Sequence, residues 1–375
     1  MIKESLKEGA VRIPSGCAIC GIIDRTGRRF NGADIIESIA VMRDRSNGLG
    51  GGFAAYGIYP EYKDFYALHV FYDSNESKRT AESFLNDHFY IETSGRIPTE
   101  KTPTIRQQPK IWRYFVKPNR YKLQESELTG EEYVAQCVFK VNSRFDGAYI
   151  FSCGKNMGVF KGVGYPEDIG RFYRLEEYKA YLWTAHGRFP TNTPGWWGGA
   201  HPFALLDRTI VHNGEISSYD ANRRYVEMYG YACKLQTDTE VITYLFDLLN
   251  RRHGLDLETA AQILTAPHWE DVDRMPAQQA DRIRTLRQIY SGALITGPFS
   301  IILGFNGGMV ALNDRLKLRA LIAAEVGDRV YVASEECAIR KLCPQPDKVW
   351  ACEGGQPVIV YADLEKRQEA VGSRG

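Results

Sequence analysis

Strand-like segments near both ends of the chain, separated by helical patterns, constrain its fold more than any other feature. The first is Cys17–Ile23, a small, apolar, partly β-branched run that leads into a turn at 24–27. Near the C-terminus, strands are predicted at 299–305, 309–312, 329–333 and 357–361. Strands at both ends with helices between them suit two stacked, mainly antiparallel sheets. The sequence therefore predicts an α+β fold.

The middle of the chain carries the helical periodicity. Ile35 and Ile39 recur on one face of a first helix. A later helix is predicted at 241–249, where Thr237 and Glu240 have the spacing of a capping box. Less regular patterns predict helices at 81–88, 131–140, 257–265 and 278–290, and strands at 53–59, 65–71 and 148–153.

Composition excludes several functional classes. The 47 basic and 46 acidic residues leave a net charge of +1, so no global field would draw the chain to nucleic acid or to a membrane surface. No apolar run has spanning length, and residues 1–16 lack the apolar core of a signal peptide. The eight cysteines are scattered, which fits reduced thiols better than a disulfide scaffold. We therefore expect a cytoplasmic enzyme without nucleic-acid or membrane partners.

The run from His186 to Glu215 reads HGRFPTNTPGWWGGAHPFALLDRTIVHNGE and combines a fixed cation, a glycine-rich loop and an amide-plus-glycine turn. Arg188 can clamp a carboxylate with two parallel charge-assisted hydrogen bonds. Asn213 and the backbone N–H of Gly214 can donate to a developing negative oxygen. These are the parts of a pocket that holds an amino acid and stabilises an oxyanion.

Cys17, at the start of the first predicted strand, is a candidate nucleophile for this pocket. A cysteine that becomes the N-terminal residue carries its own base, because a free α-amine titrates at a pKa of about 7.7 to 8.0 and can take the thiol proton directly or through water. We therefore interpret residues 1–16 as a leader whose removal exposes Cys17. Gly16 suits that cleavage, since glycine adds little steric hindrance at the bond to be broken.

Each of these residues also has a simpler structural explanation. Cys17 and Cys20 form a CxxC, but no second CxxC or paired histidine completes a zinc site, so no metal is expected and buried thiols are the alternative. Asn213 with Gly214 is a common hairpin turn, and an isolated arginine such as Arg188 is more often a surface or ion-paired residue. Their combination in one chain favours the catalytic interpretation.

Together these elements resemble the class II glutamine amidotransferases, which use an N-terminal nucleophile, and most of all the glutaminase portion of glutamate synthase in its stand-alone archaeal-type form. The resemblance spans about residues 17–362, with an unusually long segment at 60–148. The motifs that carry it are Cys17–Ile22, Arg188 with 191–193, Ala200–Phe203, His212–Glu215, Thr237–Glu240, Asn313–Leu321 and Ala333–Glu335.

The resemblance implies a four-layer αββα sandwich of the N-terminal-nucleophile hydrolase type, with two mainly antiparallel sheets. Residues 17–375 would form one amidotransferase domain, with 60–148 as an insertion. The implied activity is hydrolysis of L-glutamine to glutamate and ammonia through a thioester on the N-terminal cysteine. The implied residues are, for catalysis, Cys17, Asn213 and Gly214 and, for substrate binding, Arg188, Thr191, His201 and Asp238.

Cys20 is an alternative nucleophile. Cys20 with Gly21 and Ile22 reproduces the family's commonest first three residues better than the run that begins at Cys17. Starting at Cys17, however, leaves a longer strand before the turn at Asp24 and matches the family's spacing to the following glycine-aliphatic pair. We therefore predict Cys17.

Other residues of the motif segments have supporting roles in this interpretation. His186, His201 and His212 are expected to line the pocket as hydrogen-bonding groups, because the α-amine already serves as the base. Asp238 is either an acid in the first turn of a helix or, as the resemblance implies, the partner of the substrate's α-amino group. The stretch 194–199 has glycine hinges and two tryptophans, which suits a lid over bound glutamine.

The acceptor of the ammonia is the open question. The chain lacks a pyrophosphate-binding loop, an adenylation loop, a sugar-isomerase module and a CxxCxxC iron–sulfur run. The resemblance implies a separate, flavin-dependent glutamate synthase subunit that carries FMN and iron–sulfur clusters, hence a hetero-oligomer with no cofactor in this chain. The alternatives are a subunit that serves a different ammonia or amine acceptor, and a catalytically silent glutamine sensor or scaffold. Residues 110–122 interleave basic and aromatic side chains. We expect this pattern to form an alternating strand; contact with a partner subunit is the second interpretation and binding of nucleic acid the third.

Overall fold

Seven antiparallel strands from distant parts of the sequence form the largest sheet. The structure, a computed structural model, describes residues 16–189 and 195–364. The strand that follows Cys17 is central in this sheet and pairs with the strand that precedes Arg188, with Ala18 opposite Gly187. Both residues therefore lie at the same end of the sheet. In spatial order the strands are β17 (Lys348–Ala351), β15 (Ile322–Val326), β16 (Arg329–Ala333), β1 (Ala18–Asp24), β10 (Leu182–Gly187), β3 (Gly51–Tyr56) and β8 (Met157–Gly162).

A second antiparallel sheet has five strands. Its strand β12 ends at Asn213 and Gly214 and pairs with the start of β13, where Gly214 lies opposite Phe299. In spatial order the strands are β11 (Phe203–Leu205), β12 (Arg208–Gly214), β13 (Phe299–Phe305), β14 (Gly308–Asn313) and β18 (Val358–Tyr361).

The two sheets pack face to face. Strands β1 and β10 contact β12 and β13. Gly21 lies so close to the second sheet that a Cβ there would be 2.8 Å from the sulfur of Met309. The hydroxyl of Tyr56 crosses the interface and donates to the carbonyl oxygen of Gly304 at 2.7 Å. The interior between the sheets is therefore closely packed as well as apolar.

Helices cover the outer face of each sheet. The buried side of the first helix contains Ile35 and Ile39, as its periodicity predicts. The α+β fold and the αββα layering are confirmed. The helices on the first sheet are α1 (Ala33–Ala40), α5 (Pro166–Phe172) and α11 (Glu336–Arg340). On the second sheet lies α7 (Asp238–Phe246), against which α6 (Tyr219–Met228) packs.

The segment 60–148 builds most of a third antiparallel sheet beside the sandwich. One face of this sheet, with Phe71 and Phe115, joins the core of the first sheet, and the other face, with Leu68, packs under its own helices. The basic-aromatic segment forms the strand β6, in which the guanidinium of Arg113 lies over the ring of Tyr59. The elements are strands β5 (Phe89–Arg96), β6 (Lys110–Pro118), β4 (Tyr66–Tyr72) and β7 (Ala148–Ser152), and helices α2 (Asn75–His88), α3 (Arg120–Ser126) and α4 (Gly130–Arg144).

The remaining elements are short strands and peripheral helices. A π-helical turn at Asp247–Arg252 continues α7. Within the described ranges, no helix has both the length and the apolar character needed to cross a membrane. The other elements are β2 (Phe30–Asn31), β9 (Lys179–Ala180), α8 (Leu257–Leu264), α9 (Trp269–Asp273) and α10 (Ala277–Ile289), with 3₁₀ turns at Arg43–Arg45, Pro60–Tyr62, Leu175–Glu177 and Ser291–Ala293.

Helix α7 begins at Asp238, before the predicted start, and the predicted capping box is wrong. Thr237 occupies the N-cap position, but its side chain makes no capping hydrogen bond. The Glu240 carboxylate instead accepts from the backbone N–H groups of Lys234 and Leu235 at 3.2 and 2.9 Å. Burial raises the pKa of Glu240 to about 7 although these donors lower it. The Glu240 carboxylate therefore holds the backbone segment that precedes the helix and does not cap the first helical turn.

Candidate active site

A cavity of about 230 Å³ opens where strands of both sheets end. Cys17 precedes β1, Arg188 follows β10, Gly214 ends β12 and Asp238 begins α7. Of the predicted site residues, Thr191 lies outside the described residues, as do residues 1–15 of the predicted leader. The cavity is lined by Cys17, Arg188, Phe189, His201, His212, Gly214, Glu215, Ile216, Tyr219, Gln236, Thr237, Asp238 and Thr239.

Of the two candidate cysteines, only Cys17 reaches the cavity. Its sulfur accepts a hydrogen bond from the backbone N–H of Phe189 at 3.4 Å. Burial raises the pKa of the Cys17 thiol, while Phe189 N–H and the charge of Arg188 pull it down. Cys20 is buried in β1 against Ser38, on the helix side of the sheet, and burial raises its pKa to about 12. The two thiols of the CxxC therefore lie in different surroundings and do not face each other.

Arg188 and Asp238 bring opposite charges to the same cavity. The stem of Arg188 lies against Gly50, where a Cβ would be only 2.9 Å from its Cδ. The Asp238 carboxylate accepts from the Ile216 N–H at 3.2 Å and lies 3.4 Å from Nδ1 of His212. Burial alone would raise the pKa of Asp238, but His212 and these hydrogen bonds lower it. The cavity thus offers a cation that can bind a carboxylate and a carboxylate that can bind an ammonium group.

The Asn213-Gly214 pair is the end of a strand and not a hairpin, which corrects the simpler alternative. Asn213 pairs with Ser300 across β13. Gly214 has φ +137°, and a Cβ there would lie 2.0 Å from the carbonyl oxygen of Pro298, so only glycine fits. Asn213 is buried, is not among the residues that line the cavity, and donates from Nδ2 to Ser334 Oγ at 3.5 Å. Its Oδ1 has no hydrogen-bond partner among the described residues.

The side-chain amide of Asn213 lies next to the backbone that leads into Cys17. A Cβ placed on Gly16 would lie 3.9 Å from Oδ1 of Asn213. Ser334 Oγ, which Asn213 contacts, also accepts from the N–H of Ile19 at 3.1 Å. The amide therefore adjoins the peptide bond that joins Gly16 to the candidate nucleophile.

The three motif histidines form a buried hydrogen-bonded group with Thr239. His201 Nε2 and His212 Nδ1 lie 2.7 and 3.1 Å from Thr239 Oγ1, and His186 Nε2 lies 3.0 Å from the His212 carbonyl oxygen. Burial lowers the pKa of His186 to about 3 and that of His201 well below its ordinary value. Both rings are therefore neutral at physiological pH, which suits the predicted hydrogen-bonding role.

Three residues near the cavity were not singled out in the sequence. Thr239 ties His201 to Asp238, and Ser334 contacts Asn213. Arg45 donates from Nε to the Cys17 carbonyl oxygen at 3.2 Å. Thr239 and Ser334 lie inside matched motifs, so their position was a usable signal, whereas nothing around Arg45 in the sequence indicates its contact.

The described part of the predicted lid lies away from this cavity. Trp196 and Trp197 line a second cavity of about 650 Å³ instead. The Trp197 ring packs on Gly162, where a Cβ would be 2.5 Å from it. Pro194 lies outside the described residues. Among the described residues, no cluster of three or more His, Cys, Asp or Glu side chains could hold a metal ion.

Comparisons with known proteins relate this chain to glutamine amidotransferases. The sequence profile of "Glutamine amidotransferases class-II" matches residues 95–242. An uncharacterized protein of Archaeoglobus fulgidus is 50% identical over 92% of this chain and 91% of its own length. The amidophosphoribosyltransferase of Methanocaldococcus jannaschii is 25% identical over 51% of this chain and 36% of that enzyme.

Among solved structures, a glutamine phosphoribosylpyrophosphate amidotransferase from B. subtilis aligns with 92% of this chain and 47% of its own, with a TM-score of 0.46 and 15% identity. The profile match covers the Arg188, Asn213 and Asp238 motifs. Residues 95–242 of this chain therefore match the class II glutamine amidotransferases.

Proposed function

We propose that this chain is a glutaminase subunit that hydrolyses L-glutamine to glutamate and ammonia through a thioester on Cys17, and passes the ammonia to a glutamate synthase partner. One observation carries the first half of the proposal. The Cys17 sulfur, a cation, a carboxylate and a strained glycine corner line one small cavity. This is the set of groups needed to hold the α-carboxylate and the α-ammonium of an amino acid and to attack its side-chain amide.

The reaction has two stages. Arg188 binds the α-carboxylate and Asp238 the α-ammonium of glutamine. Cys17 sulfur bonds to the side-chain carbonyl carbon while Asn213 and the Gly214 N–H stabilise the oxyanion. The C–N bond then breaks, and the nitrogen leaves as ammonia after it takes the proton held by the base. Water next cleaves the thioester, which releases glutamate and restores the thiol.

The base in this proposal is the α-amine of Cys17, freed by cleavage after Gly16. The raised pKa of Cys17 means that its thiol is protonated at neutral pH and needs a proton acceptor. Among the described residues, the Cys17 sulfur has the Phe189 N–H as its hydrogen-bond donor and no imidazole or carboxylate acceptor. Residues 1–16 would then be a removable leader, and 17–375 the amidotransferase domain with 60–148 as its insertion.

The partner in this proposal is a flavin-dependent glutamate synthase subunit with FMN and iron–sulfur clusters, as the sequence resemblance implies. The segment 60–148 offers a contact surface, because its strand β5 lies at an open sheet edge and is mostly exposed, with Tyr90 at 61%. The eight cysteines are unpaired, which supports a reducing, cytoplasmic setting.

Glutamine-dependent ammonia release by the purified chain tests the catalytic half. We expect release from wild type and from Cys20→Ala, and none from Cys17→Ala. Full activity in Cys17→Ala would contradict the proposal. Affinity purification from the source cells tests the other half: a co-purifying protein with flavin absorbance supports it, and recovery with a partner that binds no flavin would exclude glutamate synthase.

A further inference from the structure

Lys161 is a fully buried cation that the proposed reaction does not use. It lies on β8, and its side chain is 0% exposed. Its Nζ donates to the carbonyl oxygens of Gly198 and Pro202 at 2.9 and 3.3 Å. The same nitrogen lies 4.5 Å from the centre of the Phe203 ring. Among the described residues, no carboxylate forms a salt bridge with it.

Burying a lysine side chain at this position costs folding free energy. Burial lowers the pKa of Lys161 to about 7, Arg188 adds to the decrease, and Glu240 opposes it. Two carbonyl dipoles and an aromatic face compensate only part of the lost hydration. A methionine would fill similar space without that cost. We therefore look for the role of the Lys161 side chain in the backbone that carries the two carbonyl groups it binds.

The two carbonyls bracket a turn that forms one wall of the glutamine cavity. His201, inside this turn, lines the cavity, and its Nε2 lies 2.7 Å from Thr239 Oγ1. That hydroxyl in turn lies 3.2 Å from a carboxylate oxygen of Asp238. The turn is thus linked by two hydrogen bonds to the carboxylate proposed to bind the substrate's ammonium group.

The same turn also packs beside Arg188, the cation that lines the cavity. Ala200 and Arg188 pack on one glycine: a Cβ on Gly50 would be 2.9 Å from Arg188 Cδ and 3.5 Å from Ala200 Cβ. A Cβ on Gly52 would lie 2.2 Å from the His201 carbonyl oxygen, so the turn sits directly on this backbone. A shift of the turn would therefore disturb the supports of both charged groups.

We propose that Lys161 is a positioning residue for glutamine: by holding the carbonyls of Gly198 and Pro202, it fixes the wall that supports Arg188 and Asp238, the groups proposed to bind the α-carboxylate and the α-ammonium of the amino acid. This inference rests on the proposed glutamine hydrolysis. Lys161 does not line the cavity, so its loss should weaken glutamine binding more than it slows the chemical step.

The test compares steady-state kinetics of wild type, Lys161→Met, Lys161→Gln and Val159→Ala. Val159 is buried on the same strand and does not line the cavity, so Val159→Ala controls for loss of stability alone. We expect Lys161→Met to raise KM for glutamine by about ten- to a hundredfold, the range that misplaced binding groups produce, with a smaller fall in kcat. Lys161→Gln, a neutral donor, should recover part of the loss.

Three outcomes separate the possibilities. An unchanged KM in folded Lys161→Met, with wild type active, would overturn the inference and leave the proposed function intact. An equal rise of KM in Val159→Ala at a matched fall in melting temperature would also overturn it, because the effect would then be general destabilisation. Wild type that releases no ammonia from glutamine would overturn the proposed function and the inference with it.

Discussion

Cys17 can act as a nucleophile only if something takes its proton. Its pKa is raised by burial, so the thiol form prevails at neutral pH. Burial lowers the pKa of His186 and of His201, so both rings are neutral. Each of the three motif histidines directs its Nε2 or Nδ1 to Thr239 or to a backbone carbonyl. An α-amine on Cys17 itself meets the need without a further side chain, because its pKa of about 8 lies near the working pH.

At the residue scale, Asn213→Ala tests the oxyanion role. We expect turnover to fall by about 10²- to 10³-fold, the usual loss for one oxyanion donor, with little change in melting temperature. Asn222→Ala is a matched control, since Asn222 is equally buried but donates to the carbonyls of Gly292 and Leu294 away from the cavity. The control should lose stability and keep its turnover; near-normal turnover in folded Asn213→Ala would remove Asn213 from the mechanism.

The elements of the fold explain why four distant segments meet. Strand pairing of β1 with β10 brings Cys17 beside Arg188, and the packing of β12 under β1 brings Gly214 to the same end. Asp238, the first residue of helix α7, lines the cavity between these strand ends. The site is thus a product of strand ends in two facing sheets, each held by backbone hydrogen bonds.

Gly214→Ala tests whether this corner is as constrained as its geometry implies. A Cβ would collide with the Pro298 carbonyl and strain a positive φ, so β12 and β13 must separate and the Gly214 N–H must move. We expect lost turnover together with a lower melting temperature. Gly230→Ala is the control, because Gly230 also has positive φ but open space around it. If the two variants lowered turnover equally, the loss would come from strain at a positive φ in general and not from the position of the Gly214 N–H.

Elements with strong periodicity were predictable, and those stabilised by tertiary contacts were not. The strand after Cys17 falls within one residue of its predicted position, and the first helix buries Ile35 and Ile39 as predicted. Strand β5 was missed because it is a mostly exposed edge without apolar alternation. The capping box failed because Glu240 is buried and bonds backwards to the preceding loop. In the site, motif residues were predictable, but the contact of Arg45 with Cys17 depends on folding alone.

At the scale of the whole molecule, the fold buries several histidines in neutral form. Burial lowers the pKa of His69 and of His186 to about 3, and that of His201 well below 6.5. The unfolded chain binds protons at these sites from about pH 6.5 downwards, whereas the folded chain does not. The contribution of these three histidines to stability is therefore fully present above about pH 6.5 and is lost as the pH falls. The raised pKa of Glu240 has the opposite effect.

We accordingly expect the urea midpoint to fall between pH 7 and pH 5, with each histidine contributing up to about 1.4 kcal/mol per pH unit. His69→Gln should flatten the slope, because His69 lies among Tyr59, Phe151 and Phe160, away from the cavity. Equilibrium unfolding at several pH values measures both. A midpoint that does not change with pH would mean that these histidines are protonated in the folded protein.

In the proposed function, the working enzyme begins at Cys17 and uses that sulfur as its nucleophile. Intact-mass analysis with peptide mapping, after treatment of active protein with a glutamine-analogue electrophile, tests this start site and this nucleophile together. We expect a chain that starts at Cys17 and a single label on that residue, blocked by excess glutamine. A label on Cys20, or full activity from an uncleaved chain that starts at Met1, would contradict it.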